Sequence, residues 1–222
     1  MIDPYEVIAD RVPPPGDGYT LVAIDGVDGS GKTTFAATVA ARLRQQGRAC
    51  LVIHVDDFHR PRAERHRRGR DSPLGFWLDT YDYPALHRLV LEPLGPGGDG
   101  SYRSRWTDLV NDCHVDEPPR RAEPGTVVIL EGLFLHRDEL VERWDFSIFL
   151  DAPFEITVAR MAGRDGGSPD PEHPSQRRYV EGQRLYFEAC RPWQRADLVI
   201  DNTDPRHPMI ITAQAVSAAT GS

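Results

Sequence analysis

The chain has 222 residues, 40% of them apolar, which is enough for one domain with a sizeable core and short for two. A formal net charge of −8 argues against nucleic acid or an acidic membrane surface as the main partner. No apolar run approaches the ~20 residues of a membrane span, and the opening MIDPYEVIADRV has early acids and no apolar leader-like stretch.

Apolar runs bounded by turn residues alternate with helical patterns along the chain, which predicts an α/β fold with a parallel sheet. The runs are TLVAID (20–25), ACLVIHV (49–55), TVVILEG (126–132), FSIFLDA (146–152) and ADLVID (196–201). Continuous runs of this kind suit strands buried on both faces, and the five together predict a five-stranded parallel sheet flanked by helices. After the first run, Thr33 to Gln46 reads as a helix, with Phe35, Val39 and Leu43 on one stripe and Gly47 beyond its end. Residues 84–94, 153–162 and 178–190 give further helical patterns. Three stretches read as loops: 60–75, with six arginines; the glycine-rich 95–101; and 163–176, rich in proline and glycine. Nothing marks a boundary within 1–222. Cys50, Cys113 and Cys190 lie far apart without a C-x-x-C pair, as expected of reduced thiols in a cytoplasmic protein.

Of the 26 basic residues, 25 are arginine and one is Lys32. It sits in GVDGSGKT (26–33), which fits G-x-x-x-x-G-K-[ST] between an apolar strand and a helix, the context a phosphate-binding loop requires. Glycines turn backbone N–H groups inward as a nest for anions, and the helix N-terminus adds partial positive charge. A compact ammonium fits such a nest better than a planar guanidinium. The reading places ATP on Gly26, Val27, Asp28, Gly29, Ser30, Gly31, Lys32, Thr33 and Thr34, with Lys32 reaching the β- and γ-phosphates and Thr33 ligating Mg²⁺. A GTPase would carry N-K-x-D, which a chain with no second lysine cannot; the tetrad DNTD (201–204) lacks it.

Ligands of open α/β sheets bind at the carboxyl ends of the strands. The second strand ends in HVDDFHRP, which puts Asp56 and Asp57 there, and alternation sends only one toward the site. An Asp pair after a strand also serves as a turn or helix cap. The third strand ends in LEG, so Glu131 takes a position for the metal's water shell, or caps a loop. Phe76, Trp77, Tyr81, Tyr83 and Trp106 lie between these strands, where one or two could stack on a planar acceptor or belong to the core.

With these elements in place, the chain resembles the uridine kinase and phosphoribulokinase family of P-loop kinases over most of its length. DDFH (56–59) is similar to the family's D-S-F-Y, which implies Asp56 as catalytic base and His59 at the aromatic position. TYDYP (80–84) is similar to N-F-D-H-P, which implies that Asp82 binds ribose hydroxyls. ILEGLF (129–134) resembles the F-E-G segment and implies Glu131 as metal carboxylate, so that Thr33, Glu131 and Asp56 form the expected metal set. RMAGRD (160–165) resembles the helix whose arginines clamp phosphates, which implies Arg160 and Arg164, the latter acting with Lys32 in transfer.

The resemblance implies an acceptor region of about 56–112, holding Asp56, His59, Asp82, Tyr83 and Tyr102, and a lid of about 160–178, which either closes over ATP and delivers Arg177 or Arg178 or leaves both in a surface loop. The expected partner is a small nucleoside-like acceptor, with no nucleic acid or membrane. A homo-oligomer fits the family, but no surface stripe marks an interface. Family members read pyrimidine through Y-D-F-x-x-H-S-R; YRSRWTDLVND (102–112) keeps Tyr102 and arginines without the histidine. Other acceptors therefore stay open: pantothenate, a sugar, nicotinamide riboside or a phosphosugar. A regulatory protein that binds nucleotide without an acceptor is the rival from another class.

Overall fold

The structure is a computed structural model describing residues 3–14, 16 and 18–217. In chain order its main elements are α1 (Pro4–Arg11), β1 (Thr20–Gly26), α2 (Lys32–Gln45), β2 (Cys50–His54), α3 (Pro73–Asp79), β3 (Val127–Glu131), β4 (Phe146–Asp151), α4 (Phe154–Asp165), α5 (Arg177–Cys190), β5 (Leu198–Asp201) and β6 (Met209–Ile211). The sheet runs β6-β5-β4-β1-β3-β2. The first five strands pair in parallel, and β6 lies antiparallel on the outer edge of β5. The expected five strands thus gain a sixth, whose three residues are too short a run to stand out in the sequence.

Every residue of β1, β3 and β4 is buried, and strand alternation divides them between two cores. Leu21, Ala23, Val128, Leu130 and Phe149 face one side, against α5 and the segments before β3. Val22, Ile24, Ile129, Ile148 and Leu150 face the other, against α1 and the Phe35, Val39 and Leu43 stripe of α2. Both faces being covered is why the strands read as unbroken apolar runs.

α1 was not anticipated. Asp3 caps it by accepting the Tyr5 N–H at 3.0 Å, and Ile8 and Ala9 enter the second core. The stretch read as loop over 60–75 holds a four-residue helix at Arg62–Arg65 and the start of α3. The Ser72 hydroxyl caps α3 at Gly75 N–H (3.1 Å) and Pro73 opens it. α3 packs tightly on α5: a Cβ on Gly182 would sit 2.8 Å from both the Phe76 ring and the Pro73 carbonyl. The helix expected over 84–94 is a short turn at Tyr83–Leu86 that widens into a π turn at His87–Leu91.

Candidate active site

The carboxyl ends of β1, β2 and β3 meet where β1 lies between β3 and β4, and the strand that follows β1 in the chain, β2, lies one place further out. β1 stops at Gly26, whose N–H is taken by the Asp25 carboxylate at 2.8 Å. A Cβ on Gly26 would fall 2.4 Å from the Leu150 carbonyl, so only glycine lets the loop leave the sheet here. Gly29 has φ +79°, a Cβ on it would fall 2.7 Å from the Thr157 carbonyl, and the chain then enters α2 at Lys32. The Lys32 ammonium is nearly buried and donates to the Gly26 and Val27 carbonyls at 3.3 and 3.0 Å.

Two distant side chains brace this loop. Gln183 of α5 accepts the Asp28 N–H at 2.7 Å, and Asn202, just beyond β5, donates its amide to the Ser30 carbonyl at 2.6 Å. Beneath the loop, Asp25 is fully buried and gathers the N–H groups of Phe134, Leu135 and His136, the His136 ring nitrogen (3.0 Å) and the Tyr186 hydroxyl (2.5 Å). Burial would raise the Asp25 carboxyl, but hydrogen bonds from His136 and Tyr186 outweigh it and hold the group below its ordinary value. The same burial, with Asp25 alongside, pushes Tyr186 far up.

The loop forms one wall of a cleft of about 180 Å³, lined by Asp28, Gly29 and Gly31 to Thr34 on one side. Asp56, Glu131 to Leu133, and Arg164 complete it. Burial pushes the Asp28 carboxyl upward, opposed by Lys32 and reinforced by Asp56. Asp56 sits in a 3-10 turn, Val55–Phe58, directly after β2. The buried Tyr81 donates its hydroxyl to Asp56 Oδ1 at 2.6 Å, and burial together with that carboxylate drives the phenol well above its usual value. Of the two roles open to Tyr81, stacking or core, the structure shows the core one, with its hydroxyl turned to Asp56. Asp57 faces the other way, 3.9 Å from Arg105.

Glu131 ends β3 beside His54, its register partner at the end of β2. One carboxylate oxygen receives the Thr33 hydroxyl at 3.0 Å and lies 2.5 Å from His54 Nδ1. That bond raises the His54 pKa against the effect of burial. His54 and the two braces escaped sequence reasoning. His54 stands two residues before Asp56 and could have been found by aligning strand ends, and DNTD was read only for what it lacks. For Gln183 there was no signal.

Arg164 reaches the cleft from the last turn of α4, its guanidinium held by Asp165 at 2.7 and 2.9 Å. Arg160, one turn earlier, does not: it donates to the carbonyls of Asn202 (3.2 Å) and Thr203 and so steadies the stretch that carries the Ser30 brace. Its guanidinium is occupied by main chain rather than aimed at the loop. Around Asp56, the His59 ring packs on Tyr81 at 4.8 Å, with Nδ1 2.6 Å from the Asp56 carbonyl. Asp82 caps the Tyr83–Leu86 turn through Ala85 N–H (3.0 Å) and accepts the Trp106 indole N–H at 3.1 Å. Tyr83 lies under Arg137, 4.2 Å from ring centre, and burial pushes its phenol up to about 12.

Tyr102 is not brought to the cleft. It is 5% exposed within the first core, where the ribbon pairing Ser101–Tyr102 with Arg120–Arg121 turns it inward. Neither arginine expected from the lid faces the phosphate loop either. Arg178 is buried against Phe76 and donates to the Arg70 carbonyl, and Arg177 lines a separate cleft with Glu172 and Glu181.

The model of the phosphoribulokinase/uridine kinase family matches residues 21–168, which takes in the loop, Asp56, Glu131 and Arg164. The chain belongs to this family. It is 28% identical over 209 residues to a uridine kinase of Deinococcus deserti, covering 86% of this chain and 91% of the relative. It is 30% identical over 194 residues to the uridine kinase of Escherichia coli K12, covering 81% and 85%. A solved structure from Bacillus stearothermophilus, described as a possible uridine kinase, superposes with a TM-score of 0.68 at 24% identity, over 88% of this chain and 96% of that one. Family members are small-molecule kinases that use ATP, so the chain is an ATP-dependent phosphotransferase acting on a small acceptor, and the regulatory-protein reading gives way. Among the described residues no helix is long and apolar enough to cross a membrane.

Proposed function

We propose that the chain moves the γ-phosphate of ATP to a primary hydroxyl of a nucleoside-like metabolite, with Asp56 as the base. The observation that carries this is the convergence of Asp56, Lys32 and Arg164 on one cleft, with the Asp56 carboxylate oriented by Tyr81. A carboxylate aimed across a phosphate nest has a use when an alcohol must be positioned and deprotonated.

The residues at the nest also suit magnesium. Thr33 and Glu131 offer a hydroxyl and a carboxylate 3.0 Å apart, hard oxygen donors of the kind this ion takes. Among the described residues no three acidic, histidine or cysteine side chains form an all-protein cage, which agrees with an ion held by one or two protein groups and by phosphates. Asp56 stands on the facing wall as the third candidate donor. When bound, magnesium would neutralise charge on the β- and γ-phosphates.

In this reading Lys32 leaves the loop carbonyls for the phosphate tail. Asp56 accepts the hydrogen bond of the acceptor hydroxyl, aims its oxygen at phosphorus and takes its proton as the new bond forms. Arg164 swings from Asp165 to the equatorial oxygens. Asp82 and Trp106, tied together, lie outside the lining of the cleft and in this reading meet the acceptor beyond Asp56, while His59 packs on the Tyr81 ring. Removing one such electrostatic contact costs about 3 kcal/mol of barrier, a hundredfold or more in rate.

The test is ADP release measured over a panel of nucleosides, vitamins, sugars and sugar phosphates. Turnover that rises with one hydroxylic acceptor and collapses in Asp56→Asn supports the assignment. Wild-type turnover in Asp56→Asn would remove Asp56 from the role of base. A preference for a non-nucleoside would keep the chemistry and replace the acceptor. That second reading is favoured by one observation: Tyr102, the tyrosine retained from the family's base-reading segment, is buried in the core.

A further inference from the structure

The six arginines of 60–70 fall into two sets once folded. Arg67 and Arg68 converge on the buried Asp79 carboxylate at 2.5 and 2.9 Å. Arg60 donates to the Tyr81 carbonyl at 2.9 Å and reaches Glu64 at 4.0 Å. Arg62, Arg65 and Arg70 stay outside these pairs and, with His66, line a cavity of about 470 Å³. An adjoining cavity of about 410 Å³ shares His66 and Arg70 and adds Asp71, Ser175, Arg178 and Tyr179.

Arg178 comes from the first turn of α5 and is 9% exposed. One of its N–H groups meets the Arg70 carbonyl, and its Nε has no partner; the buried Nε of Arg65 also has none. Among the described residues no carboxylate lies within ion-pair distance of the Arg62, Arg70 or Arg178 guanidinium, and Arg65 reaches Asp112 only at 3.8 Å. His66 reports the crowding: burial and then the charges of Arg178, Arg65, Arg70 and Arg62 press it below its ordinary pKa. Four guanidiniums gathered around one imidazole repel each other, and they do so in a chain whose formal charge is −8. A doubly charged oxyanion relieves that repulsion, and forked N–H donors match its geometry.

We propose that this basic groove is a second anion site, taking a phosphate-class dianion apart from the cradle at 26–34. None of its lining residues lines the transfer cleft. Its walls come from 62–71 and from Ser175 to Tyr179, at the return of the lid stretch into α5, so a bound anion ties that stretch to the arginine segment. The phosphate has two sources. It is either carried by the acceptor itself, which rests on the kinase reading above, or it is a free phosphate or pyrophosphate.

The full-length enzyme, saturated with magnesium and a non-hydrolysable ATP analogue, is titrated with pyrophosphate in a calorimeter. One equivalent should bind. The Arg62→Gln/Arg70→Gln double variant, at two exposed positions, should lose tenfold or more in that affinity while binding the ATP analogue as the wild type does. A matched variant, Arg120→Gln/Arg121→Gln, removes two exposed charges elsewhere and should bind pyrophosphate normally. No saturable binding to the wild type, or equal weakening in both variants, overturns the site.

Kinetics then identify the source. A tenfold rise in KM confined to a phosphorylated acceptor, in Arg62→Gln/Arg70→Gln, assigns the groove to the acceptor. A pyrophosphate-dependent change in turnover on an uncharged acceptor, lost in that variant, assigns it to a separate anion. Neither response, in an enzyme that turns over, overturns the site even if pyrophosphate binds. An enzyme with no acceptor-dependent turnover at all would instead defeat the proposed function and leave the titration as the test of the groove.

Discussion

Residues 26–34, the proposed phosphate cradle, would offer mostly backbone groups, at the end of a strand buried on both faces. Residues 56–114 present side chains instead, from a 3-10 turn, a four-residue helix and a ribbon of two residues per strand. In the first region geometry follows from three closely spaced glycines, one lysine and one helix start. In the second it follows from pairs such as Tyr81–Asp56 and Trp106–Asp82, about 25 residues apart in the chain. The difference teaches that one half of a transferase site is carried by main-chain shape and the other by side chains that meet only after folding.

Losing a group at the transfer centre, from either half, should be catastrophic. Lys32→Ala should lower kcat/KM by a hundredfold or more and weaken ATP binding, read by steady-state kinetics and titration. Asp56→Asn should cost as much in kcat with ATP affinity unchanged, which separates holding the phosphate from aiming the alcohol.

The support under the cradle comes next. Asp25→Asn keeps one acceptor oxygen but turns an amide donor on buried donors and removes the charge, and should cost about 3 kcal/mol of stability at neutral pH, read by denaturant unfolding. Because the folded Asp25 carboxyl lies below its ordinary value, its contribution is present above the unfolded value near ~3.9 and is lost as pH falls through the folded one. The melting-point gap between wild type and variant should therefore be wide at pH 7 and close in acid; a gap independent of pH would deny the charged network.

Smaller effects belong to the side chains that support the acceptor half behind Asp56. Tyr81→Phe removes one charge-assisted hydrogen bond and should reduce kcat about tenfold, with KM for ATP unmoved. Asp82→Ala loses a cap of about 1 kcal/mol and the Trp106 tether, and should raise the acceptor's KM severalfold at constant ATP affinity. A change in ATP affinity in either variant would blur the division between the halves.

The same division governs what could be read from sequence. The first five strands were legible because both faces are covered, and the phosphate loop because its chemistry is local. β6 and α1 are short, and the Ser72–Pro73 start of α3 was masked by the arginine-rich stretch before it. Gln183 and Asn202 matter through partners on other elements, so no local pattern announces them, and His54 shows only when the ends of β2 and β3 are aligned. Tyr102 and Tyr81 were both visible as aromatics, yet their roles depend on burial: one is sealed in the core and the other points its hydroxyl at a carboxylate.

The braces from Gln183 and Asn202 span 155 and 172 residues of chain. During synthesis the nucleotide motif emerges early, yet both struts arrive only when most of the polypeptide has left the ribosome. A nascent chain halted before position 183 thus carries the motif without either strut.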